Sequence, residues 1–424
     1  MLIQTVRKPY TIGPAKSQPS ILARVARHIV LRALENVRCG CLEVQDGDAR
    51  WRFGVSDADA LRAVVRVQHP QFYERILFGG TVGAGESYAD GDWDTDDLTA
   101  VVRVMVANQN ALQGLDGRGS RWAKKGLEKL IHMSNANTRA GSRKNIAAHY
   151  DMSNDFFRLW LDSRMMYSSA VFTEDNMDLE TASQVKLQRI CNMLDLQPDE
   201  HLLEIGAGWG GMAIYAATHY GVYVTTTTIS AAQFDEAQMR VKAAGLGHRV
   251  EVLLEDYRDL QGQYDKIVSV EMVEAVGDEF VDGYFQKVES LLAPAGKFVM
   301  QAITIQDQQY IQALREVDFI KKHIFPGSFI PSVSRLVNAA ARTDALKLSE
   351  LRDIGVDYAK TLRCWSENFN DCSEQLAIMG FDERFQRLWQ FYFCYCEGGF
   401  WERAISDVQV VFSNQPIPLQ RGVS

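Results

Sequence analysis

The stretch that decides the fold is "LLEIGAGWGG", residues 202–211. Gly206, Gly208 and Gly211 have the G-x-G-x-x-G spacing of a turn whose backbone a ligand can approach closely. That spacing alone is weak, so its setting matters. An apolar run, HLLEI, leads into the glycines, and WGGMAIYAATHYG follows with helical spacing. Strand, tight turn and helix are the context such a turn requires. A dinucleotide site would also carry an acidic residue about 20 positions further on, for the ribose hydroxyls. Here the second strand reads GVYVTTTTIS, residues 221–230, without a carboxylate.

Glu204 stands instead just before the turn. A carboxylate there suits an adenosine ligand whose amino-acid part carries a cation, and no pyrophosphate is needed. S-adenosylmethionine is such a ligand. Working outward, strands are predicted near 201–206, 222–228, 250–255, 264–271 and 296–304, with helical patterns between them. This alternation implies a parallel sheet with helices on both faces and a ligand above the strand carboxyl ends. Residues 1–115 read as a small separate domain. In it VRCGCLEVQDGDARWRFG (37–54) alternates like a hairpin, and GAGESYADGDWDTDDLTAVVRVMVAN (83–108) reads as a Gly/Asp turn cluster capping an apolar helix. The basic, Gly/Ser/Asn-rich stretch 116–144 reads as a linker, and 145–424 as the catalytic domain.

The chain has 424 residues, 46% apolar and 23% charged, which is ordinary globular composition for two or three domains. A net charge of −9 argues against general nucleic-acid binding. The charge is uneven: residues 1–36 carry six basic groups against one acid, and 118–144 carry eight against one. Such stretches can hold an acidic protein on an anionic membrane at roughly 1 kcal/mol per well-placed Lys or Arg. In SILARVARHIVLRALENV (20–37), Ile21, Val25, Ile29 and Leu34 fall near one face, with Arg24, Arg27 and Arg32 off it. That helix can lie on a membrane or pack into a domain. No apolar run reaches about 18 residues, and Arg and His interrupt every early apolar stretch. Neither a membrane span nor a signal peptide is expected. The seven cysteines are scattered, and no His cluster accompanies Cys39/Cys41 or Cys394/Cys396 at ligand spacing. They read as reduced thiols, with no metal.

Several ordered motifs carry a resemblance. HYDMSNDFFRLWLDSRMMYSSAVF (149–172), LLEIGAGWGG, TTISAAQ, EDYRDL, VEMVEAVG and IFPG, with GAGESYADGDWDTDDL before them, are similar to the cyclopropane-fatty-acyl-phospholipid synthase family over about residues 77–415. The resemblance implies an α/β fold: a Rossmann-like, seven-stranded S-adenosylmethionine methyltransferase domain with helical active-site additions, preceded by a small N-terminal α+β domain. It implies methyl or methylene transfer to cis double bonds of acyl chains in membrane phospholipids, with related branches stopping at a methyl-branched or methylene product. A cytoplasmic protein attached peripherally to the inner membrane face is then expected, and a homodimer is an open expectation. A lipid- or cofactor-binding protein without catalysis is a further reading.

By resemblance, Gly206 and Gly208 lie against the amino-acid part of S-adenosylmethionine, and Tyr167 and Ser168 are further contacts. Thr228 and Gln233 fall near the ribose, and Asp256 and Tyr257 around the adenine. An alkene is a weak nucleophile, so its π bond must be aligned with the methyl donor and water excluded from the resulting cation. Aromatic faces can stabilise such a cation. Tyr167, Phe172, Tyr358 and LWQFYFCYCEGGFW (388–401) supply candidates. A base must then remove a proton. The family's pattern binds a bicarbonate ion for this with Cys, Glu, His and Tyr. The corresponding positions here are Ser169, Glu274, Gln301 and Tyr358, with Ile303 as a backbone contact. Ser and Gln can donate hydrogen bonds to an anion but supply neither thiol nor imidazole. Glu274 in a dry pocket is itself a candidate base. Glu271, beside the pattern, stays open between a surface carboxylate and a chemical role, and His149 more simply orders the Tyr150–Asp151 turn than takes part in chemistry.

Overall fold

The structure, a computed structural model, describes residues 20–55, 57, 60–112 and 152–413. Residues 1–19, the 116–144 linker with its basic run, and His149 lie outside the described residues. Cys41–Asp46 (β1) and Ala49–Gly54 (β2) form the antiparallel hairpin that the alternation predicts, turning at Gly47 with φ 60°. Arg62–Val67 (β3) joins β1 in parallel, and Trp93–Asp94 (β4) completes a sheet of order β2-β1-β3-β4.

Among the described helices, Ile21–Leu34 (α1), Gln71–Ala89 (α2) and Leu98–Ala107 (α3) accompany this sheet. Two expectations are corrected here. The glycine-rich start of GAGESYADGDW is the last part of α2, not a turn. Gly85 is needed there because a Cβ would enter the Phe319 ring. The turn follows at Asp90–Asp92, and Asp97 caps α3 by accepting from Ala100 N at 2.8 Å. In α1 the buried face is Ala23, Ala26, Val30 and Leu34, while Ile21, Val25 and Ile29 point outward. Small alanines let α1 lie close on its neighbours. Arg27 fixes the rotation by pairing with Asp46 at 3.3 Å and stacking 4.7 Å from the Trp51 ring centre.

The second sheet has seven strands. His201–Ile205 (β5), Tyr223–Thr228 (β6), Val250–Leu254 (β7), Tyr264–Val270 (β8) and Leu292–Ile305 (β9) run parallel, close to the predicted spans. Lys347–Asp353 (β10) and Ile405–Ser413 (β11) extend the order to β10-β11-β9-β8-β5-β6-β7, with β11 antiparallel to β9. Period-two alternation divides the central strands between two cores. Leu202, Val268, Val299 and Val411 face Leu179–Leu194 (α4), Gly211–Tyr220 (α5) and Ala231–Ala243 (α6). Leu203, Ile267, Met300 and Val410 face Val281–Leu291 (α7). β5 lies between β6 and β8, so the strand order reverses there and opens a crevice at its carboxyl end.

Gly355–Asp371 (α8) and Glu383–Trp401 (α9) are the two long helices of the C-terminal part. They share one core with the N-terminal helices, through residues such as Val101, Trp160, Trp365, Trp389 and Phe391. Thr99 Oγ1 donates to the buried Glu397 Oε2 at 2.6 Å, and Arg387 stacks 4.0 Å from the Tyr88 ring centre. The N-terminal unit therefore has its own sheet but borrows part of its core from α9.

Candidate active site

At the end of β5 the backbone takes positive φ at Gly206 (101°) and Gly208 (49°), and Gly210 (83°) caps α5. Gly206 N and Ala207 N both donate to Thr227 O, at 3.1 and 2.8 Å, which ties the turn to β6. The glycines differ in purpose. A Cβ on Gly211 would meet Met166 Sδ at 2.6 Å and Arg164 O at 2.7 Å, so that glycine serves packing. A Cβ on Gly208 would meet nothing within 4 Å, because Gly208 opens onto a cavity of about 900 Å³. Every residue assigned to the cofactor borders this cavity, and so do Glu274 and Tyr358. Ser169 and Gln301 do not; both are fully buried behind it.

At the turn end, Glu204 accepts from Thr226 Oγ1 at 2.6 Å. Burial pushes its carboxyl up to about 8. A ligand's cationic amino group would supply the charge this carboxyl lacks. Thr228 Oγ1 donates to Gln233 Oε1 at 2.8 Å, which couples the two positions expected near the ribose. Asp256 is held by Arg258 through Nε at 2.8 Å and Nη2 at 2.6 Å. Tyr257 packs edge-on to Tyr284 at 5.2 Å. Ser168 Oγ accepts from the buried Lys186 Nζ at 2.8 Å. The open space over Gly208, the carboxyl at Glu204 and the polar pair at Thr228 and Gln233 fit S-adenosylmethionine. Trp209 also borders the cavity, with its indole donating to Asn154 Oδ1 at 2.8 Å and its ring packed against Phe157.

The middle of the cavity is aromatic. Tyr167 and Tyr392 share a hydroxyl hydrogen bond at 3.0 Å, and Tyr358 stacks on Phe400 at 4.5 Å between ring centres. Of the aromatic stretch 388–401, Tyr392, Tyr395 and Phe400 reach the cavity, while Trp389, Phe391 and Phe393 fill the core. Phe172 does not border the cavity; Lys360 lies over its ring at 5.9 Å.

Bordering the same cavity is a carboxylate cluster whose assembly the motif reading did not give. Glu271 Oε1 accepts from Ser169 N and from Gln301 Nε2, both at 2.8 Å, and its Oε2 accepts from Tyr358 OH at 2.7 Å. Gln301 also reaches Asp407 Oδ2 at 3.1 Å and accepts from Gln409 Nε2 at 3.0 Å. The Ser169 hydroxyl donates to Ala170 O at 2.9 Å. Glu274 Oε1 accepts from Ile303 N at 2.6 Å, and its Oε2 has no partner among the described residues. Glu271 and Glu274 border the cavity yet sit deep in the protein, and burial raises both carboxyls. Glu274 reaches about 8, with repulsion from Glu271 adding to the effect. Burial also drives Asp407 well above the carboxylate range. Lys186 is the cation of the cluster. Burial pushes it down, and Glu271, Asp162, Asp407 and Glu204 oppose that.

Sheet order, glycine turn and cavity define the class of S-adenosylmethionine methyltransferase folds. Residues 137–410 match the family described as mycolic acid cyclopropane synthetase. The chain belongs to this family. It is 36% identical over 402 residues to the tuberculostearic acid methyltransferase of Mycobacterium tuberculosis, covering 93% of this chain and 90% of the relative. It is 37% identical over 364 residues to the cyclopropane-fatty-acyl-phospholipid synthase of Escherichia coli, covering 85% and 91%. Among solved structures, a mycolic acid cyclopropane synthase complexed with SAH and CTAB superposes with a TM-score of 0.60 at 29% identity. The match covers 64% of this chain and 98% of that one.

Proposed function

We propose that this protein transfers a methyl or methylene group from S-adenosylmethionine to the cis double bond of unsaturated acyl chains in membrane phospholipids, as a cyclopropane synthase does. One observation carries the reading. One cavity is lined by the open backbone at Gly208, by the aromatic rings of Tyr167, Tyr358 and Phe400, and by the carboxylates Glu271 and Glu274. When bound, S-adenosylmethionine supplies an electrophilic methyl group. The chain contributes the rest: the glycine turn and Glu204 orient the ligand, and the aromatic faces stabilise positive charge on the acyl chain. The buried, largely apolar walls limit water around that charge.

A second reading, in which the product stops at a methyl-branched or methylene chain, draws support from Ser169 and Gln301 and from the tuberculostearic acid methyltransferase relative. Lipids extracted from cells expressing the chain test both. A gain of one CH2 in unsaturated acyl chains is expected for a ring or a methylene branch, and of one CH2 plus two hydrogens from a separate reductant for a saturated methyl branch; gas chromatography with mass detection separates them. No gain in any acyl chain refutes an enzyme of either kind and favours a binding protein.

The membrane is the remaining part of the proposal. No helix of the described residues is long and apolar enough to cross a membrane. The outer face of α1 instead combines exposed Ile21, Leu22, Val25 and Ile29 with exposed Arg24 and Arg32. Apolar and basic groups on one helix face suit peripheral attachment to an anionic, cytoplasm-facing surface.

A further inference from the structure

We propose that Glu271 is the proton acceptor of the reaction, a carboxylate built into the chain where the family resemblance puts a bicarbonate ion. The inference deepens the function proposed above and rests on it. Three residues that the resemblance gives to the anion donate instead to this one side chain: Ser169 through its backbone N, Gln301 through Nε2 and Tyr358 through its hydroxyl, at 2.7–2.8 Å. The fourth donor, Ile303 N, goes to Glu274. The Ser169 hydroxyl is turned onto Ala170 O. An added anion would find these donors engaged and would lie against Glu271, Glu274 and Asp407. Bicarbonate does not fit this site, and no step is routed through it.

The backbone supports the assignment. Glu271 has φ 47°, in the left-handed region that favours glycine. A side chain persists there only when its surroundings hold it. Here Glu271 N donates to Gln301 O at 2.8 Å, which anchors the residue at the end of β8. The hydrogen bonds also bear on where the charge resides. Two neighbouring buried carboxylates resist ionising together, and the one with more donors keeps the charge. Glu271 accepts three hydrogen bonds and Glu274 one from a donor outside itself, so of the two Glu271 is the better placed to carry the charge.

The step balances without a further reactant. The alkene π pair forms the bond to the transferred methyl carbon, and the methyl–sulfur pair remains on sulfur. The acyl chain then carries the positive charge. Glu271 Oε2 takes one C–H proton, and the released pair closes the ring, or forms a C=C bond where the product is methylene. Glu271 returns the proton to solvent once the product has left.

Glu271→Gly and Glu271→Gln test this. Each is expected to keep S-adenosylhomocysteine affinity within a few-fold and to lose ~10²–10⁴ of turnover, the usual contribution of a general base. Glu274→Gln is expected to lose less than Glu271→Gln. Wild-type turnover in carbonate-depleted buffer is expected not to rise when bicarbonate is added. Titration calorimetry with bicarbonate alone is expected to give no heat with wild type and saturable binding with Glu271→Gly, whose removed carboxylate leaves the donors open. Bicarbonate-dependent wild-type turnover, saturable bicarbonate binding by wild type, or a larger loss in Glu274→Gln would each overturn the assignment. If wild type converts no lipid under any condition, the proposed function fails, while the bicarbonate titration still decides the place of Glu271.

Discussion

Adding one methyl group at Gly208 or at Gly211 separates the ligand role of the glycine turn from its packing role. Gly208→Ala puts a Cβ into space empty to 4 Å, so its only cost without ligand is the positive φ of 49°. For an L-residue in the left-handed region that is about 1–2 kcal/mol. The same methyl occupies the floor on which the ligand lies, and an affinity loss of at least ~10-fold, about 1.4 kcal/mol, is expected. Gly208→Val is expected to lose more. Gly211→Ala meets Met166 Sδ at 2.6 Å and Arg164 O at 2.7 Å. The thioether can swing aside, but Arg164 O is held by Arg240 Nη1 at 2.9 Å. Overpacking against a fixed backbone atom costs about 1–3 kcal/mol, with a Tm loss of a few degrees. Calorimetric titration with S-adenosylhomocysteine and thermal melts of all three variants read the two effects apart. Wild-type affinity in Gly208→Val, or a larger affinity loss in Gly211→Ala than in Gly208→Ala, would refute this account of the turn.

Burial raises the carboxyls of Glu204 and Glu274 to about 8 in the folded protein. Unfolded, they titrate near ~4.3, so between those values the folded state binds more protons and stability falls as pH rises. The urea midpoint of the ligand-free enzyme is expected to decline from about pH 5 to about pH 8, and Glu204→Gln or Glu274→Gln to flatten that decline, although Lys186, Glu271 and Asp407 titrate in the same cluster; a flat wild-type profile contradicts it. Ile21→Asp combined with Val25→Asp, both at exposed positions of α1, is expected to weaken co-sedimentation with anionic vesicles at low salt without lowering Tm. Unchanged co-sedimentation, or wild-type binding that ignores salt, removes α1 from membrane attachment.

The central fold was legible because local signals and global topology agree. Each of the five parallel strands is a short apolar run next to a helical pattern, and the glycine turn marks the crevice. β10 and β11 were not legible. β10, KLSELRD, is an edge strand with mostly exposed residues, so it lacks a buried run. β11 is buried along most of its length but follows α9 directly, with no turn motif to announce a strand. The buried face of α1 was not legible for a related reason. Hydrophobicity ranks Ile and Val above Ala, yet close packing and the Arg27–Asp46 pair turn the alanines inward.

The site divides along the same line. The positions assigned to the cofactor line one cavity because most fall in short motifs at strand ends, whose placement follows from the fold class. The carboxylate cluster is not legible in sequence, because its members come from residues 169, 186, 271, 301, 358 and 407, and nothing local brings them together. In VEMVEAVG the two glutamates are three residues apart, and spacing cannot say which one collects the donors. The backbone decides: at φ 47° Glu271 leaves β8 turned toward Gln301 on β9 and Tyr358 on α8, while Glu274 meets Ile303 N. Ser169 and Gln301 then acquire a physical reason. A carboxylate built into the chain needs neutral donors that do not compete for its proton, and an amide at 301 gives a hydrogen bond to Glu271 while accepting one from Gln409. An imidazole at that position could take up the proton itself. Two residues that read in sequence as losses from an anion site are, in the folded chain, the partners that one gained carboxylate requires.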